Sequence, residues 1–545
     1  MTKRVEQENK EAEERFFNFR PLLFTAIALC LGIYFGFLYK VKEVPLWWIS
    51  VALLAIATFL GVYFRKCVRK FLTSLLALGL SFCIGFGSFS FSIKDYEETT
   101  VYEGAYTVTG VVAEYEEGKT AIYVVIKDVT FDGKEAEGNL ITYLSTTYAG
   151  KIHLSDTLLL TGKVKTDRRI IGSYGFKASA INDDLRYRLE TESVEVTGKV
   201  FNPFSITRER MRKVLYAGMD DTYASVCFAL LTGNVSGIES GLLQNVRYGG
   251  IAHIFAVSGL HIGALYAFCL LLINKTKLRN LPKPFRFIAV ATVLVLYGGI
   301  CGYSASVIRA TVTCLVFYAS KLIGYGSDGL ERVGASGICV LLLAPVSLFE
   351  VGFQLSFTAC LGIVLLSKPI GNALLSGCKA IHLYPKGEKK DVPLGIRESA
   401  VRSCVSFLGV TISAQLATLP ISCFWFGYVS VFSLLLNCLY VPIIGALFPI
   451  QLFFTFVAGI LPTTASMVIF FPLKGIWAVL VLLFELFAFS VVDISGITIT
   501  GGAMICYYLS LIFLTDKWNL SKIEKIGVWL LFMVASVLCL VLASV

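Results

Sequence analysis

The sequence predicts a polytopic α-helical membrane protein of about 11–13 transmembrane helices, with an extracytoplasmic all-β, OB-fold-like domain inserted after helix three. Three observations lead there. Apolar and aromatic residues with cysteine make up 56% of the 545 positions and charged residues only 16%, at a mean hydropathy of +0.72, whereas about a quarter of a typical globular sequence is charged. The apolar residues gather in runs close to the roughly 20 needed to cross a bilayer. Between residues 93 and 200 those runs give way to short segments that alternate with period two, as half-buried strands do.

Residues 1–20 form a polar tail, read as cytoplasmic, and three apolar runs follow within 21–92: Pro21–Tyr39, Leu46–Phe64 and Phe71–Phe91. Arg65-Lys66-Cys67-Val68-Arg69-Lys70 joins the second run to the third, and so dense a positive loop belongs on the cytoplasmic side. That choice puts residues 93–200 outside. Strands are expected at 106–112, 121–126, 140–144, 158–164 and 194–200, separated by turn formers such as Asp132-Gly133-Lys134. Five short strands in about 100 residues fit a small barrel of the kind that binds single-stranded nucleic acid.

From 201 to 515 the chain is apolar again, with spans expected at 253–273, 287–303, 305–323, 333–348, 350–367, 400–419, 430–457, 466–491 and 499–515; a loop and a last span at 526–544 occupy 516–545. The loops 274–286 and 368–398 are basic and fall on the cytoplasmic side by the same rule.

The net charge of +10 separates unevenly. Residues 93–200 carry 13 basic and 18 acidic side chains, a net of −5, so the remainder carries +15. Much of that excess lies in loops that obey a topology rule and says little about a polyanionic partner. Within the β domain, Lys163, Lys165, Arg168, Arg169, Lys177, Arg186 and Arg188 form either one basic, DNA-contacting face or an ordinary solvated surface. None of the 15 cysteines lies between 84 and 226 and no C-x-x-C occurs, so neither a disulfide in the β domain nor a metal site is expected.

Polar residues inside apolar spans are costly and mark functional sites. His253 and His261 flank Ser258-Gly259 in a glycine-rich stretch. On one continuous helix their spacing of eight places them about 80° apart; alternatively the glycines break the helix, as happens where backbone lines a cavity. Arg309, Gln354, Ser356, Gln415 and Asn437 also fall in or beside spans, and Glu485 is an acid in a late helix that offers Arg309 a partner. Ser258 and His261 are close enough for a nucleophile–base pair, but no third group and no phosphate-binding loop is legible, so neither an enzyme nor a cofactor is expected.

Six segments in collinear order carry a family resemblance: Leu230-Leu231-Thr232-Gly233, the stretch Ala252–His261, Arg309-Ala310, Gly334-Ala335-Ser336, Gly352–Phe357 and Gln415–Pro420. With the β insert between helices three and four, the chain resembles the ComEC family of competence proteins, the DNA uptake channels of natural transformation, over residues 20–515. The resemblance implies that a single strand of DNA crosses the bacterial cytoplasmic (inner) membrane through this chain, which meets membrane lipid around it. It implies a motor ATPase or helicase inside and an external DNA receptor or pilus outside, with the second strand degraded by a separate nuclease or not at all. Arg309, His253 and His261 would then supply positive potential along the path, Ser258, Gln354 and Asn437 neutral donors, with Gly259, Ser356 and Gln415 beside them. Larger members carry a metallo-β-lactamase-like nuclease domain; no H-x-H-x-D-H occurs here, so a form without that domain is expected. The alternative is a transporter for another anionic or lipid-linked solute.

Overall fold

A proline at the first helical position, with its φ preset and no N–H to satisfy, opens helix α1 (Pro21–Lys40). The computed structural model describes residues 20–41, 68–100, 102–117, 120–148, 150–166, 177–255, 257–324, 328–380, 396–486, 491–493, 500–513 and 522–544. The expected span at 46–64 lies outside these residues. Helix α2 (Val68–Glu97) runs parallel to α1, and their backbones meet at glycine. A Cβ on Gly32 would stand 2.1 Å from the Phe82 carbonyl oxygen, and one on Gly85 2.3 Å from that of Leu29, the small-residue packing that lets membrane helices approach.

The inserted domain contains β1 (Gly104–Glu117), β2 (Ile122–Phe131), β3 (Lys134–Glu135), β4 (Asn139–Leu144), β5 (Asp156–Thr166), a short helix α3 (Ala178–Asn182) and β6 (Leu185–Lys199). The sheet runs β1-β5-β6-β4-β2-β3, and β1 also pairs with β2, which closes five strands into a ring. Alternation builds its interior: Val108, Val112, Val124, Ile126, Leu158, Leu160, Val164 and Leu189 point inward and are buried. Two expectations need correction. The insert is not all-β: α3 lies between β5 and β6, and the sheet is mixed, with β4 pairing β6 in parallel. The closing strand begins at Leu185 and not at 194, because Arg186 and Arg188 around buried Tyr187 disguise its alternation as a polar stretch.

The helical region continues through α4 (Pro203–Gly218), α5 (Asp221–Thr232), α6 (Ser240–Tyr248), α7 (Gly259–Lys275), α8 (Lys283–Ile300), α9 (Ala305–Ile323), α10 (Gly329–Leu343), α11 (Val351–Ala380), α12 (Ile396–Phe426), β7 (Tyr428–Ser430), α13 (Ser433–Ile460), α14 (Ser466–Leu486), β8 (Val491–Asp493), α15 (Gly501–Phe513) and α16 (Lys522–Ser544). Among the described residues eight helices are long and apolar enough to cross a membrane, with shorter apolar ones beside them. Large apolar side chains stand on the outside of this region, among them Val468 at 79%, Ile323 at 78% and Phe471 at 77% exposure, as they do where lipid is the solvent. The chain is a multi-pass membrane protein.

Two expected spans are shortened by their own breakers. Pro345, which cannot donate to a preceding turn, ends α10 early and starts a 3₁₀ turn at Pro345–Phe349. The span expected from 253 begins at Gly259 instead. Gly334-Ala335-Ser336 serves α1: a Cβ on Gly334 would stand 2.6 Å from the Leu23 backbone nitrogen, and Arg20 pairs with Asp328 at the foot of α10.

Candidate functional site

The glycine-rich stretch is a broken helix. Helix α6 ends at Gly249, Gly250 turns the chain at φ +70°, and residues Ala252–Ile254 make one 3₁₀ turn. After Val257 the extended Ser258 caps α7. His253 and His261 therefore do not share a helix, and the 80° relation does not hold. His253 is exposed on the 3₁₀ turn, Gly259 is exposed, and His261 is fully buried.

His261 takes the place that Glu or Gln usually has in a capping box. Its Nδ1 accepts from the Ser258 N–H at 3.2 Å, and the Ser258 hydroxyl oxygen accepts from the Leu260 N–H at 3.3 Å. Since Nδ1 accepts, the ring proton of the neutral imidazole sits on Nε2. Nε2 has no hydrogen-bond partner among the described residues, and the ring meets Phe448 edge-on at 4.9 Å. The Ser258 hydroxyl is 3.4 Å from Nδ1, so this pair is spent on the helix start. His261→Gln, which keeps an acceptor for the Ser258 N–H, is expected to retain about 1 kcal/mol of stability that His261→Ala loses with the cap, read from thermal unfolding of the purified protein in detergent.

The break is seated on α12 and α13. A Cβ on Gly250 would stand 2.5 Å from Ser433 Cβ and 3.1 Å from Ser430 Cβ. Gln415 donates to the Ser433 hydroxyl, and Asn437 follows Ser433 one turn along α13. Gln415 Oε1, Asn437 Oδ1 and Ser430 Oγ are buried with no hydrogen-bond partner among the described residues. Buried polar atoms are almost always satisfied, so three orphans around one turn leave unused hydrogen-bonding capacity there. Pro442 inside α13 leaves the Cys438 carbonyl without its intrahelical donor, whereas the Leu416 carbonyl left by Pro420 in α12 accepts from the Tyr507 hydroxyl at 2.9 Å.

Arg309 belongs to a second cluster. Its side chain is 5% exposed and Nη1 lies 3.1 Å from Glu350 Oε2, whose side chain is 13% exposed. The partner is Glu350, not Glu485, which is exposed on α14. Glu350 Oε1 accepts from Asn182 Nδ2 at 2.7 Å, and the same amide donates to Ser347 Oγ at 2.9 Å. Asn182 ends α3, so this chain of bonds ties the β domain to the helices. Arg309 Nη2 lies across Gly352, 2.7 Å from where a Cβ would be, which explains glycine there. Gln354 donates to the Leu348 carbonyl at 3.1 Å and accepts from Trp425 Nε1 at 3.0 Å; Ser356 is exposed. Beside this junction, desolvation together with the Glu114 and Glu350 carboxylates raises the Asp183 carboxyl to about 6, against the opposing charge of Lys127.

The basic face is smaller than the sequence predicts. Lys163, Lys165, Lys177 and Arg188 are exposed, while Arg168 and Arg169 lie outside the described residues. Arg186 is not part of it. It is buried and spends its charge on Asp95 at 2.8 Å and Asp184 at 2.6 Å, with Glu137 at 3.7 Å; those bonds outweigh the desolvation and hold its pKa above the usual value. Lys165 pairs with Glu190 at 2.7 Å. Arg188 lies 5.5 Å from the Tyr143 ring centre, and Tyr143 meets Tyr123 at 5.6 Å, so aromatic rings adjoin what remains of the face.

Sequence reasoning missed Ser430, Ser433 and Asn182. Ser433 and Asn182 act through partners 18 and 168 positions away, and no local pattern reports such a pairing.

A stretch of 214 residues, 39% of this chain, is 28% identical to ComE operon protein 3 of Bacillus subtilis (strain 168), and spans about a quarter (24%) of that relative's length. No solved structure matches the chain. The model of the competence protein family matches residues 230–521, more than half of the sequence and all of the broken-helix site; the chain belongs to the competence protein family.

Proposed function

We propose that the chain passes a single strand of DNA across the bacterial cytoplasmic membrane during natural transformation, with its amino terminus in the cytoplasm. The observation that carries this reading is the break at 249–261 against Gln415, Ser433 and Asn437, with its orphaned polar atoms in a family of competence proteins. Amide and hydroxyl groups both donate and accept, so they replace water around phosphates and base edges without fixing a sequence. The polar side chains that the turn at Gly250 meets or that lie beside them, Ser430, Ser433, Gln415 and Asn437, are neutral. Weak sites of this kind let a chain enter and also leave, which suits a conduit and not an enzyme.

The ring order β1-β2-β4-β6-β5, with its parallel β4–β6 pair, supports an OB-fold reading of the insert, and the adjoining Tyr123, Tyr143 and Arg188 support contact with a stacked strand, which takes aromatic and cationic groups. A cytoplasmic motor ATPase or helicase, an external receptor or pilus and a separate nuclease complete the proposal. The test is labelled DNA given to a strain lacking this chain. Loss of cytosolic label with surface binding preserved is expected; unchanged cytosolic label would overturn it.

A further inference from the structure

Where the ring of strands meets the helix that follows it lies a cavity of about 250 Å³, lined among others by Tyr115, Lys199, Arg210, Arg212, Lys213 and Tyr216. Arg208 and Glu209 also line it, so five cations face one carboxylate, a net of +4, in contrast to the −5 of residues 93–200. The sign reverses at the seam because Lys199 closes β6 and the run Arg208-Glu209-Arg210-Met211-Arg212-Lys213 belongs to α4.

The seam is built and held. Arg208 donates to the Ile300 carbonyl at the end of α8, from Nε at 2.8 Å and Nη2 at 2.6 Å. Arg210 donates at the end of α13, to Gly459 at 3.0 Å and Leu461 at 3.3 Å. Cations at helix C-termini are favourable, and a guanidinium has five N–H donors, so each keeps others. Two of the cations sit in loose ion pairs, Lys213 3.8 Å from Glu209 and Lys199 3.6 Å from Asp156, beyond direct hydrogen-bond distance. Arg212 is exposed, its guanidinium 5.7 Å from the Tyr216 ring centre. On the barrel side Tyr115 presents a second ring, and Asn234 and Ser236 line the cavity with neutral donors.

Cations able to track a polyanion, beside rings on which planar groups stack, are the recognition chemistry of a single nucleic-acid strand. We infer that this seam is the docking site for the phosphate backbone of the incoming DNA strand, with bases stacked on Tyr216 and Tyr115. It deepens, and rests on, the DNA-passage reading above.

The test uses the whole chain in nanodiscs of zwitterionic phospholipid and a fluorescent oligothymidylate of about 20 nucleotides, longer than the ~4–16 that one small barrel covers. Arg212→Ala with Lys213→Ala is expected to weaken binding at least about tenfold at low salt and to lower the slope of log affinity against log salt by about 1.4. Tyr216→Ala is expected to weaken it about fivefold or more, and Tyr216→Phe to preserve it. Thermal unfolding of the double variant in the same nanodiscs controls for folding and should match the parent, since Arg212 and Lys213 are exposed.

Binding by the double variant within about twofold of the parent overturns the inference. So does loss only with Lys163→Ala and Lys165→Ala, which would put the strand on the outer barrel face, and so does a parent chain that ignores the oligonucleotide. If the double variant loses binding yet transforms cells at the parental frequency, the seam does not serve the incoming strand and the inference falls, whereas the DNA-passage reading falls only if the strain lacking the chain still takes label into the cytosol.

Discussion

Arg309→Ala is expected to destabilise the folded protein by about 3–5 kcal/mol, because it strands a buried carboxylate. Glu350 has little water to turn to: its side chain is 13% exposed, and its partner guanidinium 5%. Replacing both ends with neutral groups, Arg309→Met with Glu350→Gln, removes the stranded charge and is expected to recover most of the loss. The signature is non-additivity in a double-mutant cycle, read as thermal unfolding in detergent, with a coupling above about 1 kcal/mol. Asn182→Ala should cost less, about 1.5–3 kcal/mol for a lost bond to a charged group. It also loosens the insert from the helices, since Asn182 joins α3 to Glu350 and Ser347, and limited proteolysis of the whole chain would report it as faster cleavage. Additive single-variant losses would mean that the pair is not coupled as described.

The second large effect is at the break. Gly250→Val sets a β-branched side chain at φ +70°, a genuine outlier for such a residue, and drives its Cβ to 2.5 Å from that of Ser433. Either the turn opens or α13 withdraws. In both cases Gln415 and Asn437 lose their place beside the 3₁₀ turn. Transformation is expected to fall by about two orders of magnitude at unchanged protein level, since misplacement of about 1 Å at a functional site already costs about 10²-fold. Gly263→Ala is the matched control: Gly263 lies inside α7 with nothing within 4 Å of an added Cβ, and the change is expected to be silent.

The long elements were legible because bilayer thickness and strand pleating impose lengths and periods on composition. That reasoning placed α1, α8, α9, α13 and α14 within a few residues of where they lie. It went astray where local chemistry overrides hydropathy. Ile251–Val257 is apolar enough to extend a helix, but Gly250 and the Ser258 cap enclose it and it folds as a turn. Charged Arg186 hid the start of β6 because its partners Asp95 and Glu137 come from elsewhere in the chain. For the same reason Arg309 read as a charge along the path with Glu485 as its candidate partner. Glu350, 41 positions away, is a neighbour only once α9 and α11 have packed. The polar residues inside spans were visible as anomalies; their grouping into a broken-helix cluster and a separate ion-pair junction was not, because grouping is a tertiary property.

The central claim is that the strand passes the break between α7, α12 and α13. A photo-crosslinking amino acid installed singly at Gln415, Asn437 and Ser258, and at lipid-facing Leu435 and Phe453, which are both 56% exposed, tests it in cells stalled during uptake of labelled DNA. The account predicts protein–DNA crosslinks at the first three positions and none at the last two. Crosslinks absent from all three while labelled DNA still enters through the same chain would contradict it.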